Sequence, residues 1–104
     1  MINFADSIDI ENFKSLEIPL LIEFWSYDCL ACNHATQFLM QIEEAYKNKL
    51  KIIKVDIQRV PEVVIKYKIK ILPTFLIFKN NEIVLRTEGF GNKFQFEKSI
   101  RNCL

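Results

Sequence analysis

Phe24-Trp25-Ser26-Tyr27-Asp28-Cys29-Leu30-Ala31-Cys32 is the stretch on which the fold of this chain turns. It closes an apolar run that begins after Pro19, Leu20-Leu21-Ile22-Glu23-Phe24-Trp25. A nearly continuous apolar run of this length predicts a strand covered on both faces, as in a parallel sheet. Beyond it, Ala35, Phe38, Leu39, Ile42, Ala45 and Tyr46 recur at helical spacing, which predicts an amphipathic helix over 32–47. Cys29 therefore falls just before a helix and Cys32 in its first turn.

Reading outward, Lys51-Ile52-Ile53-Lys54-Val55-Asp56-Ile57 is the next predicted strand. Strand, helix and strand in succession make a βαβ unit, for which a right-handed crossover is expected. A short first strand and a short helix over 9–15 are expected upstream. Pro61 opens a second helix through about Tyr67, at a position where its missing N–H costs nothing. Thr74 to Phe78 is a strand, Asn80-Asn81 a turn that tolerates positive φ, and Glu82 to Glu88 the returning strand of a hairpin. A last helix over 92–102 carries Phe96, Ile100, Cys103 and Leu104 on its apolar face.

The chain has 104 residues, enough for one core, so a single domain over 1–104 is expected. Half the residues are hydrophobic and 26% are charged, which excludes a disordered chain. The net charge of +1 gives no basic excess for nucleic acid or an anionic membrane surface. No apolar run approaches the roughly 20 residues of a membrane span. The first residues lack a basic region before an apolar stretch, so no secretory signal is expected. Three cysteines form an odd set, unlike the even, dense set of a disulfide-stapled fold. In a cytosolic chain the C-x-x-C pair points to redox chemistry or to metal.

Two cysteines three apart at a helix start can bring their sulfurs within bonding distance. The helix N-terminus favours negative charge and so stabilises a thiolate on Cys29, whose free pKa of about 8.5 such a site can lower by one or more units. Cys29 is then the nucleophile, and Cys32, further in, the thiol that resolves a mixed disulfide. The alternatives are two buried structural cysteines or half a zinc site. Zinc needs about four ligands, and only His34 and Cys103 remain. His34 lies about 200° round the helix from Cys32 and faces away, so no metal site is expected. Glu23 interrupts the apolar strand. A solvated edge carboxylate is one reading, but apolar neighbours on both sides argue for burial. Trp25 reads either as core or as a ring packed under the cysteine loop. His34 reads as a solvated helix residue, and Cys103 as a small buried hydrophobe or a regulatory or dimer-linking thiol.

The quoted stretch resembles the active-site segment of the thioredoxin family, usually F-W-A-x-W-C-G-P-C. A C-x-x-C beside a βαβ unit is itself a recognised signature of that family. Lys54-Val55-Asp56, Leu72-Pro73-Thr74, Phe78-Lys79-Asn80 and Gly89 follow at the family's spacings, and the match spans the whole chain. The resemblance implies an α/β thioredoxin fold, a central mixed five-stranded sheet flanked by four helices. It implies a cis bond before Pro73, placed opposite the cysteines, where the Leu72 backbone pairs with an extended client segment. Trp25, Leu72, Pro73 and Gly89 are thus the expected substrate-binding residues. It also implies that Glu23 is a buried proton acceptor for Cys32, acting through water, with Lys54 pushing its raised pKa back down.

Three positions depart from the pattern. Leu30-Ala31 replaces Gly-Pro between the cysteines, Asp28 replaces a Trp and puts an anion beside the thiolate, and Gln37 stands where a kinking proline is common. Asp28, Leu30, Ala31 and Lys54 are accordingly the residues expected to tune the pair. The functional expectation is a cytoplasmic, monomeric reductase of protein disulfides. It works through a redox-active Cys29–Cys32 disulfide, with no bound cofactor and with electrons from an NADPH-dependent thioredoxin reductase. Its clients are proteins with disulfides, and neither nucleic acid nor membrane is a partner. The rivals are a non-enzymatic docking or chaperone-like module on the same fold, and a reductase dedicated to one client pathway with a glutathione-type donor.

Overall fold

A computed structural model describes residues 3–104. Along the chain it has β1 (Asn3–Phe4), α1 (Ser7–Phe13), β2 (Leu20–Trp25), α2 (Leu30–Ala45), β3 (Lys51–Asp56), α3 (Pro61–Lys66), β4 (Thr74–Lys79), β5 (Glu82–Glu88) and α4 (Lys93–Arg101). The strands form one five-stranded sheet in the order β1-β3-β2-β4-β5. Four strands have six or seven residues, and β1 is a two-residue edge piece. β2 runs parallel to β3 and antiparallel to β4, so the sheet is mixed.

The apolar run of β2 is explained by its central place. All six of its residues are buried, because helices cover both faces of the sheet. On one face Leu20, Ile22 and Phe24 pack with Ile10 of α1 and Val63 of α3. On the other, Leu21, Phe75 and Ile77 pack with Ala35, Leu39 and Ile42 of α2 and with Phe96 and Ile100 of α4. Alternate β2 residues point to opposite faces, so Glu23 and Trp25 share the α2 face with Leu21.

Helix ends follow from local chemistry and shift some boundaries. α1 starts two residues earlier than expected because Asp6 and Asp9 form a reciprocal capping box. α2 starts at Leu30, not Cys32, with Cys29 as its N-cap. It runs unbroken to Ala45, and Gln37 gives it no proline to kink at. The expected apolar stripes are narrower than their spacing suggests. Ala45 and Leu104 are exposed, and Phe38, Tyr46 and Cys103 are half-buried. Asn80 and Asn81 both take positive φ, 53° and 69°, in the β4–β5 turn.

The end of α3 bears on the site because the chain runs from it to Pro73. Lys68 takes φ 53°, a position usually held by glycine. Its N–H bonds Ile65 O, while the Ile69 N–H bonds Val64 O. This is a Schellman closure completed by a lysine. Arg86 of β5 braces it, donating from Nη1 to Tyr67 O at 2.6 Å and from Nη2 to Lys68 O at 2.8 Å. Arg86→Ala is expected to lower stability by about 1–2 kcal/mol, the side chain being partly solvated. Arg86→Lys should not restore it, since an ammonium cannot fork over two carbonyls. Urea unfolding midpoints check this, and equal midpoints for parent and alanine variant would show that water serves the carbonyls as well.

Candidate active site

The sheet brings the site together through register. Phe24 near the end of β2 pairs with Thr74 at the start of β4, so the loop to Cys29 and the Leu72-Pro73 segment emerge at the same end of the sheet. The Leu72-Pro73 bond is cis. The Gly89 N–H donates to Pro73 O at 2.7 Å, fixing the end of β5 beside the proline. Gly89 has φ 78°, in the left-handed region that glycine adopts most readily. Pro73 is buried and Leu72 half-buried.

Cys29 caps α2 with its sulfur. The Cys32 N–H donates to Cys29 Sγ at 3.2 Å, in the place where a serine or aspartate oxygen normally takes the N3 amide. The two cysteines are joined in a disulfide, with Cα atoms 5.3 Å apart. Their surroundings differ: Cys29 is half-buried, whereas Cys32 has no exposure. When the bond is reduced, the amide and the helix dipole both act on the Cys29 sulfur and stabilise its thiolate. Leu30 and Tyr27 beside it are 70% and 72% exposed, an apolar rim on open surface. The Ser26 hydroxyl donates to Asp28 Oδ1 at 2.7 Å, tying the unusual aspartate to the loop that carries Cys29.

Glu23 is fully buried, so the edge-carboxylate reading does not hold. Burial pushes its carboxyl up from 4.5 to about 7, against the lowering effects of a hydrogen bond from Thr36 and the charge of Lys54. Thr36 Oγ1 lies 2.9 Å from Glu23 Oε1. Glu23 Oε2 is buried with no hydrogen-bond partner among the described residues. Lys54 is the register partner of Glu23 on β3. It is also buried, and burial lowers its pKa while Glu23 raises it. Its ammonium lies 4.2 Å from the Trp25 ring centroid and 5.5 Å from that of Phe4, so aromatic faces offset part of its lost hydration.

Trp25 is buried but belongs to the site more than to either core. Its ring meets Tyr27 of the cysteine loop edge-on at 4.6 Å and Phe4 at 5.5 Å. His34 is exposed, and among the described residues no group of three or more His, Cys, Asp or Glu could hold a metal ion. Cys103 is half-buried, not fully buried as expected, and its thiol donates to Ser99 O at 3.3 Å. Burial raises its pKa, with Lys79 opposing.

Two residues at the site escaped the sequence reading, Ser26 and Thr36. Thr36 stands four residues after Cys32 and next to Ala35 of the buried stripe. A polar β-branched residue on the same helix face as the inner cysteine was the available signal.

The thioredoxin family model matches residues 4–102. A thioredoxin of Rickettsia bellii is 32% identical over 100 residues, covering 96% of this chain and 95% of that protein. The chloroplastic thioredoxin Y1 of Arabidopsis thaliana is 35% identical over 86 residues, and there the match spans 83% of this chain but only half of the relative's length. A solved thioredoxin structure from Plasmodium falciparum superposes with a TM-score of 0.89 over the full length of both chains at 24% identity, a likeness of fold. With the family match spanning nearly its whole length and the Cys29–Cys32 pair closed at the start of α2, the chain belongs to the thioredoxin family of thiol–disulfide oxidoreductases.

Proposed function

We propose that this chain reduces disulfides in client proteins, with Cys29 as the attacking thiol and Cys32 as the resolving one. The observation that carries the assignment is the asymmetry of the pair. Cys29 is only half-buried and its sulfur already accepts the Cys32 amide, whereas Cys32 is fully buried. The Cys29 thiolate attacks one client sulfur, a Cys29–client disulfide forms, and the client's other sulfur leaves as a thiolate and takes up a proton. Cys32 then loses its proton to Glu23 and attacks Cys29 Sγ. The Cys29–Cys32 disulfide forms, and the second client sulfur departs. The client gains two electrons from the pair and two protons. One proton passes from Cys32 by way of Glu23 to a departing client sulfur, and one is taken from water, to which Cys29 released its own on becoming a thiolate.

A carboxyl with a pKa of about 7 suits this exchange, since a proton acceptor works best when its pKa lies near the working pH. Tyr27 and Leu30 supply an apolar rim for the client chain, and the Leu72 backbone supplies hydrogen-bonding groups for an extended segment. Trp25, Pro73 and Gly89 hold that surface in shape. Asp28, Leu30, Ala31 and Lys54 tune the pair. Regeneration falls to an NADPH-dependent thioredoxin reductase, and a reducing compartment such as the cytoplasm fits the cycle. Insulin reduction with that reductase and NADPH tests the reading. The expected result is catalytic NADPH consumption that depends on this chain. NADPH consumption no faster than without the chain would favour the docking module, and turnover only with glutathione and its reductase would favour the dedicated-pathway reductase.

A further inference from the structure

The hydroxyl of Thr36 stands between two acceptors, Glu23 Oε1 at 2.9 Å and Cys32 O at 3.0 Å. It has one proton and can satisfy only one of them at a time. When Glu23 is ionised, the charged oxygen is the stronger acceptor and takes that proton. When Glu23 is protonated on Oε2, Oε1 is a neutral carbonyl oxygen and competes less well with Cys32 O for the same proton. Thr36 therefore favours the ionised carboxylate and holds it by Oε1, and Oε2 is left without a partner in its buried position among the described residues. We propose that Thr36 is a positioning residue, which clamps Glu23 by Oε1, keeps Oε2 as the oxygen that exchanges a proton with Cys32, and sets the pH at which that exchange happens.

The other groups around Glu23 cannot supply this hold. Lys54 faces it from β3, with Asp56 one alternation further along beside Trp25. Lys54 acts on both protonation states as a charge and fixes neither oxygen. Across β4 stands Phe75, on which Phe96 of α4 packs at 4.6 Å, and neither ring titrates. From α2 the titrating group is Cys32 itself. The inference rests on the proposed role of Glu23 as proton acceptor, but its first readout does not.

The test compares Thr36→Val, which keeps the branched shape and loses the hydroxyl, with Thr36→Ser, which keeps the hydroxyl. The Glu23 carboxyl carbon is followed by NMR across pH in the full chain, and the resolution of a Cys29-linked mixed disulfide is timed over the same range. In Thr36→Val the Glu23 titration should rise by about one pH unit, the worth of one hydrogen bond to a buried anion. The rising limb of the resolution rate should move with it, and Thr36→Ser should restore both to within a few tenths of a unit. A Glu23 titration that stays in place in a folded Thr36→Val protein overturns the inference. A titration that moves while the resolution rate in the parent is indifferent to Glu23→Gln leaves Thr36 holding the carboxyl but removes Glu23, and with it Thr36, from the proton transfer.

Discussion

Replacing Cys29 by serine is expected to reduce disulfide-reducing activity to background, while Cys32→Ser accumulates a covalent adduct with the client through Cys29. The two variants diverge because the sulfurs stand in different surroundings. The Cys29 sulfur caps α2 and receives the Cys32 amide on a half-buried residue, whereas Cys32 is fully buried. Without Cys29 no thiolate can reach a client sulfur. Without Cys32 the attack still happens, but the mixed disulfide has no internal thiol to break it. Cys103 does not confuse the experiment, since burial raises its pKa and leaves little thiolate at neutral pH. A Cys103→Ser background removes it in any case. Mass spectrometry of the trapped species after incubation with a disulfide client reads the result, and an adduct that forms on Cys32 in the Cys29→Ser protein would reverse the assignment.

Glu23→Gln is expected to make the protein more stable at pH 8 and slower in the resolving step. The carboxyl is raised by burial from its ordinary 4.5 to about 7, so the native state binds this proton more tightly than the unfolded chain does. The protonated carboxyl therefore favours the fold below about pH 4.5, and that contribution is lost as pH rises through 7. A glutamine carries no such loss. Relative to the parent it should gain about 3 kcal/mol at pH 8 and little at pH 4, as an order-of-magnitude figure. The gain is moderated because Lys54, itself buried, loses an opposite charge. Guanidinium unfolding at the two pH values measures the gap. A gap that stays constant between them would mean that Glu23 ionises at no cost in the fold. The kinetic arm is independent: if Glu23 is the proposed acceptor of the Cys32 proton, release of client from the Cys29 mixed disulfide should slow, most of all near neutral pH.

The periodicities of this chain specify most of its elements without help from the fold. An apolar run with no alternation marked β2 to the residue, because a central strand must be apolar on both faces. Glu82 to Glu88 was equally legible, bounded by two asparagines that accept positive φ. Helix starts were less so. α1 and α2 begin where Asp6 and Cys29 cap them, and a cap is a geometric relation between one side chain and an amide two or three residues on. The cysteine pair was visible by its own spacing at a helix start, whereas Pro73 and Gly89 were singled out only by the family resemblance.

What the sequence could not fix is how residues far apart in it act on one another. Glu23 was conspicuous as a lone charge in an apolar strand, and the family resemblance already set Lys54 against it, but its proton affinity also depends on Thr36 reaching down from α2. Thr36 passed unnoticed because a threonine on a helix has no role until a strand places a carboxyl under it. The same holds for Arg86, whose fork over the end of α3 exists only because the sheet lays β5 beside that turn. Local order here is written in periodicity and in single residues of restricted shape. The electrostatics of the site arise from burial and from distances of a few ångströms between elements, and those exist only once the chain has packed.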